Sequence, residues 1–358
     1  MRKAAFIIIV LLPVLSVQTA MAAGDSVAYQ MILTDPVKPD SGYLPHTVIL
    51  SFDEYGFPDK YKLSLFIEVC LQEICKPLTV TLFWNALGEY EYLEYPEHLP
   101  FTKYNHKLFT PGDYRRLDAI LRDRNSILGK HPLSFFEKQF TRDPDRVDAV
   151  TSATPQAIRD AVVEDAAYTS WALWHWTNGE IAGLLLENTL GFCSSDYLLH
   201  CLDSEDPRFV HFGLNQLAQK DRVDPSFREK CFHILEHGGG AICKLALQIV
   251  TTAPDDTIRM HRELVRRIGM NAGSSQLIID YFENLTVVAP VIWEDLAARL
   301  SHVSSYYYIF TSLILLEKRA GDSEAVRASV ALLISSDDLN VSRRAEEFLE
   351  RKTKPFRQ

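Results

Sequence analysis

Three hydroxyl side chains stand within four residues in the string Asp148-Ala149-Val150-Thr151-Ser152-Ala153-Thr154, and Pro155 follows directly. A threonine placed there can do two kinds of work. It can cap a helix, because proline suits the first helical position and the hydroxyl before it accepts a free backbone N–H. It can also be esterified by a phosphate if another group activates it, an alcohol being a weak nucleophile by itself. Small neighbours such as Ala153 leave Thr154 reachable by a second protein's active site. A phosphate held before a helix would meet free N–H groups and a favourable dipole.

Other residue patterns offer less chemistry. "HILEH" places His233 and His237 one helical turn apart in the His-x-x-Glu-His order of inverted zinc peptidases. The glycines from Gly238 to Gly240 end that helix at once and no third ligand stands out, so no metal site is assigned. Tyr168, Trp171 and Trp174 share a helical face that reads as core or as a cover for a flat ring, and the adjacent His175 reads as a core histidine. The loop 95–114 gathers His98, Lys103, Tyr104 and His106 before a helix, either as a ligand-facing loop or as an ordered connection. There is no glycine-rich phosphate loop, no Gly-x-Ser-x-Gly elbow and no Cys-x-x-Cys-His haem site. No catalytic constellation is assigned to these residues.

The elements that must position these residues fall into two parts with different periodicity. Residues 1–22 have the positive start, apolar run and Ala20-Met21-Ala22 site of a secretory signal, and the run is too short for a membrane span. The expected mature chain is exported, periplasmic or extracellular, without a stable membrane span. Loss of Arg2 and Lys3 takes its formal charge from −10 to −12, and no basic run suggests nucleic acid as a partner.

Residues 23–154 are expected to form an α+β domain. Strand-like runs turn at Gly56–Pro58 and at Asn85–Gly88, and a helix opens with Thr110 as N-cap, Pro111 first and Asp113 third. Cys70 and Cys75 flank a four-residue hairpin loop, which predicts a disulfide between them, with Cys193, Cys201, Cys231 and Cys243 left open. Residues 155–190 read as connecting helices, a long one closed at Asn178-Gly179 and a second over 180–190. Residues 191–358 read as helix pairs recurring every 30–35 residues, an all-α array of the HEAT type. Segments 204–220 and 335–352 align with Asp206 on Asp337, Val210 on Val341, Leu214 on Ala345 and Leu217 on Phe348.

The junction string resembles the Asp-x-x-Ser/Thr-Gly-Ala-Ser/Thr motif of covalently flavinylated FMN-binding domains. These domains occur in the FMN-carrying subunit of sodium-translocating NADH:quinone reductase and in its counterpart in the Rnf complex. The resemblance implies a small mixed α/β FMN-binding-like domain in the N-terminal half, covering residues 45–175, and says nothing of the helical half. It implies FMN joined to Thr154 by a phosphodiester bond, with Asp148, Thr151 and Ala153 as recognition residues. Ser152 departs from the family's glycine and would be strained if that position needs positive φ. A flavin transferase using FAD and redox partner proteins are the implied partners. The alternative expectation is a non-catalytic binding or scaffolding protein that uses its helical repeat surface, with Thr154 a plain helix cap.

Overall fold

The computed structural model describes residues 24–68, 77–103, 106–140 and 156–353. The chain is α+β: an antiparallel sheet followed by helices, in two compact units divided between Cys193 and Ser194. The expected signal segment, the Cys70–Cys75 bridge, Tyr104 and the string Asp148–Thr154 all lie outside the described residues.

In the first unit, strands β1 (Ser26–Thr34), β2 (Tyr43–Phe52), β3 (Pro58–Ile67), β4 (Leu78–Asn85) and β5 (Tyr90–Glu94) form a meander in chain order. Alternation decides which face is covered. Val48, Leu50, Tyr61, Leu63, Val80, Leu82 and Trp84 are buried, whereas Ser64 and Phe66 on the opposite face are exposed. Short polar side chains build the turns. The Asp53 carboxylate accepts N–H groups from Tyr55 and Phe57 at 2.9 and 2.8 Å, and Asn85 Oδ1 accepts from Leu87 and Glu89 at 2.9 and 3.0 Å. Gly88, at φ 72°, lets the second of these turns approach the backbone of Ala182, where a Cβ would stand 2.2 Å from the carbonyl oxygen.

Helices α1 (Pro111–Arg122), α2 (Leu133–Phe140), α3 (Gln156–Asp160), α4 (Ala167–Asn178) and α5 (Glu180–Leu190) complete this unit. The α1 start follows its sequence signal: Thr110 Oγ1 accepts the Asp113 N–H while the Asp113 carboxylate accepts the Thr110 N–H, a reciprocal capping box. Residues 156–190 are built into the core, where Val163, Leu173, Ile181 and Leu185 are buried in one cluster with the sheet's inner face.

The long helix expected after Pro155 is broken. After five residues the chain leaves α3, and α4 starts only at Ala167. Val162 and Val163 turn inward, the Ser170 hydroxyl accepts the Val163 N–H at 2.9 Å, and Asp165 takes φ 58°. Burial of two β-branched residues outweighs the helix propensity of the surrounding alanines.

The second unit is a two-layered stack of helix pairs: α6 (Ser195–Leu202) with α7 (Pro207–Ala218), α8 (Pro225–His237) with α9 (Gly240–Thr251), α10 (Thr257–Arg267) with α11 (Ala272–Asn284), α12 (Pro290–Arg299) with α13 (Tyr306–Arg319), and α14 (Glu324–Ala331) with α15 (Leu339–Thr353). The first helix of each pair packs on the first helix of the next, and the second on the second, the defining contact of an α-solenoid. The repeat length is 30 residues from Ser195 to Pro225, then 32 to Thr257, 33 to Pro290 and 34 to Glu324.

Polar contacts recur one repeat apart. Arg262 pairs with Asp295 and Lys318 with Glu283 at 2.9 and 2.8 Å, while Arg267 and Arg299 donate to the carbonyls of Phe232 and Ile268 at 3.0 and 3.1 Å. Val210, Leu214 and Leu217 are buried as Val341, Ala345 and Phe348 are, so the aligned apolar positions coincide. The caps do not. Asp206 accepts the Arg208 N–H, but it is Asp338, one residue beyond the aligned Asp337, that accepts the Asn340 N–H.

Candidate functional site

The flavinylation-like string sits between α2, which ends at Phe140, and α3, which begins at Gln156. Asp148, Thr151, Ser152, Ala153 and Thr154 belong to the segment outside the described residues; their frame does not. On one side α2 packs on α4 and buries Leu133 and Phe136. On the other, Ile158 is buried, Gln156 Nε2 donates to Asp160 Oδ1 at 2.8 Å, and Arg116 of α1 donates to the Asp160 carbonyl. The short α3 changes one expectation. A single turn offers free N–H groups but almost no summed dipole, so less helix stabilisation of a phosphate is on offer than a long helix would give.

The aromatic stripe of α4 is core, and it fastens the loops of the first unit. Trp171, Trp174 and Trp176 are 7, 7 and 3 % exposed. The Trp171 indole N–H donates to the His131 carbonyl at 2.9 Å and that of Trp174 to the Asp123 carbonyl at 2.8 Å. From the sheet, Trp84 donates to the Thr177 carbonyl at 2.8 Å. Each of these three tryptophans thus buries a large apolar body while its one polar atom is satisfied.

Trp176 differs. Its indole N–H has no acceptor among the described residues, and its ring meets His46 edge-on at 5.2 Å, where His46 Nε2 also lacks a partner. Buried polar atoms are rarely left so. Trp176 lines a cleft of about 210 Å³ together with Leu33, Thr34, His175, Glu180 and Ile181. The His175 ring stacks on Trp171 with centroids 3.8 Å apart, and its Nδ1–H donates to the Trp171 carbonyl at 2.9 Å, which leaves Nε2 as the acceptor. Burial lowers the His175 pKa against the opposing effect of that hydrogen bond, so the ring is neutral at pH 7. Among the residues that line the cleft, His175 offers its Nε2 acceptor and Glu180 a carboxylate that already accepts the Thr34 N–H. His46 and Trp176 meet across a long stretch of sequence, and no local pattern announces the pair.

The remaining candidates resolve into structure. The loop 95–114 closes on itself: Tyr114 stacks on Tyr95 at 4.4 Å, its hydroxyl accepts the Phe101 N–H at 2.9 Å, and Lys103 pairs with Asp113 at 2.7 Å. Burial opposes ionisation of Asp113, but hydrogen bonds from Lys103 and Thr110 outweigh it and hold the carboxyl below its usual pKa. His98 and His106 are exposed. His233 and His237 are exposed on α8 with ring centroids 4.6 Å apart, and among the described residues no three metal-binding side chains gather. None of Cys193, Cys201, Cys231 and Cys243 is in a disulfide. No described helix is long and apolar enough to cross a membrane.

Compared with protein-family models, curated proteins and solved structures, the chain finds no match.

Proposed function

We propose that the protein is an exported electron-transfer flavoprotein that carries FMN covalently on Thr154 and passes electrons between redox partners, one of which docks on the helical repeat array. The observation that carries this reading is the string Asp148-Ala149-Val150-Thr151-Ser152-Ala153-Thr154, which meets the flavinylation motif everywhere except at Ser152. In the attachment step Thr154 Oγ replaces AMP on the flavin-side phosphorus of FAD, and its proton passes to a base of the flavin transferase. The donor chemistry fits: a hydroxyl at the acceptor position, small side chains beside it, and the free N–H groups of a helix turn that opens at Gln156. When bound, FMN supplies the redox chemistry, so the chain needs no acid, base or metal of its own.

The test is co-expression with a flavin transferase in an exporting host. Yellow-green fluorescence should survive denaturing electrophoresis in wild type and vanish in Thr154→Ala. A non-fluorescent wild type, beside a transferase active on another substrate, removes the cofactor from the account. The second reading, a binding or scaffolding protein without a cofactor, draws on the stacked helix pairs, whose repeated surfaces suit protein recognition.

A further inference from the structure

The sheet of the first unit has two edges, and they are built differently. β5 is five residues long, carries Glu91 and Glu94, lies next to a bulge at Phe83/Trp84, and has its Glu91 carbonyl taken by the Arg122 side chain. Short length, charge and a bulge are the usual guards against strand-to-strand association. β1 has none of them. Its nine residues, SVAYQMILT, include no charge and no proline, and they pair with β2 in unbroken register from Ser26 to Thr34. Among the described residues no strand pairs with its outer side.

Two hydrogen bonds fix which backbone groups face outward. The Thr34 N–H goes to the Glu180 carboxylate, away from β2, while the Asp25 carbonyl accepts the Phe52 N–H on the β2 side at 3.1 Å. Backbone direction alternates along an antiparallel strand. The N–H and C=O groups of Ser26, Ala28, Gln30 and Ile32 therefore point to the open edge.

We propose that this edge pairs with the same edge of a second copy of the chain, antiparallel about a two-fold axis at Gln30, joining two five-stranded sheets into one continuous sheet. The sequence of β1 is self-complementary in that register. On the outer face Gln30 meets its own copy and Ala28 meets Ile32, and the ladder ends short of Thr34, whose outward N–H is held by the Glu180 carboxylate. On the core face Tyr29 meets Met31 and Val27 meets Leu33. Every core-face pair is apolar, the large Ile32 lies opposite the small Ala28, and no pair sets charge against charge. The outward-facing residues fall opposite one another, as a hydrogen-bonded ladder requires. In the single chain Val27, Tyr29 and Met31 pack on the core from one side only and stay partly exposed, and Ile32 is 56 % exposed. A second β1 covers all four. An extended segment of an unrelated protein would use the same backbone groups without this match of side chains.

Sedimentation analysis of the protein at high micromolar concentration tests the proposal. Wild type should run at twice the chain mass. Gln30→Pro removes a donor that points away from β2, so the β1–β2 ladder stays intact and the pairing edge is broken. Ala28→Lys sets a charge against Ile32 of the other copy. Both variants should run at the mass of one chain with an unchanged circular dichroism spectrum. Gln30→Cys should give a disulfide-linked dimer on mild oxidation where wild type does not, because directly opposed hydrogen-bonded residues have Cα atoms about 5.5 Å apart. A wild-type protein at the mass of one chain overturns the proposal, as does a dimer that persists in Ala28→Lys with no cross-link in Gln30→Cys. Should Gln30→Pro fail to fold, the lysine variant and the cross-link decide.

Discussion

Gly129 lies against the indole of Trp174: a Cβ built on this glycine would stand 2.5 Å from the ring carbon Cη2. The ring cannot retreat freely, because its N–H is bonded to the Asp123 carbonyl at 2.8 Å and the side chain is 7 % exposed. The short turn that follows α1 is therefore clamped on α4 by a contact that only glycine permits. Gly129→Ala should destabilise the first unit by about 1–3 kcal/mol, the ordinary range for overpacking. Gly183 supplies the control, since it sits in α5 with nothing within 4 Å of a new Cβ. Gly183→Ala should stabilise by roughly 0.5–1 kcal/mol through helix propensity. Urea unfolding of both variants checks the pair, and equal effects would contradict the clamp.

Arg267 ties α10 to α8 in the second unit. It is 12 % exposed at the side chain, donates Nε–H to the Phe232 carbonyl at 3.0 Å, and pairs with Glu236 and Glu263 at 2.8 and 2.9 Å. Arg267→Met should cost about 1.5–3 kcal/mol, the value of hydrogen bonds to a charged group that lose their partner. Arg267→Lys should recover only part of this, because a point charge cannot hold a carbonyl and two carboxylates in a planar fork. Urea midpoints of the two variants measure the difference.

Acid should weaken the fold before its carboxylates titrate. Burial holds the imidazoles of His46, His175 and His261 below the ordinary value of 6.5, against an opposing pull from Asp35 at His46 and from the Trp171 carbonyl at His175. The unfolded chain thus takes up protons before the folded one. This stability is complete above pH ~6.5 and is lost as pH falls below it toward the depressed folded values. Thermal midpoints should drop between about pH 7.5 and 5.5, roughly one unit either side of that value. His175→Phe should flatten the dependence; a wild-type midpoint that is constant or rises on acidification would contradict it.

Much of the fold is legible because its signals are local. The Thr110-Pro111 and Asp206-Pro207 starts name their own caps, Gly88 and Asn85 mark a turn, and α5 begins and ends where the residue pattern places it. The signals fail where distant parts decide. Nothing around Val162 and Val163 says that they will be drawn into the core and stop a helix. The α2 segment carries no cap that announces it. The solenoid repeat is visible at its apolar positions, but its cap slips from Asp337 to Asp338, since packing fixes the former and leaves the polar end free to shift. At the candidate site the same division holds. The chemistry of Thr154 rests on a contiguous string, whereas Trp176 and His46, with Nε1 and Nε2 lacking a hydrogen-bond partner among the described residues, are joined only by folding.

The central claim is a covalent bond at one atom, and peptide mass mapping of protein co-expressed with a flavin transferase reads it directly. The peptide spanning Asp148 to Thr154 should be heavier by one FMN less one water, with fragmentation placing the addition on Thr154 and not on Thr151 or Ser152. Ser152→Gly, which restores the motif's glycine, should give equal or greater occupancy, and Thr154→Ser should retain some. A peptide of unmodified mass from wild type, or an addition that stays in Thr154→Ala, would contradict the account and return Thr154 to the role of a helix cap.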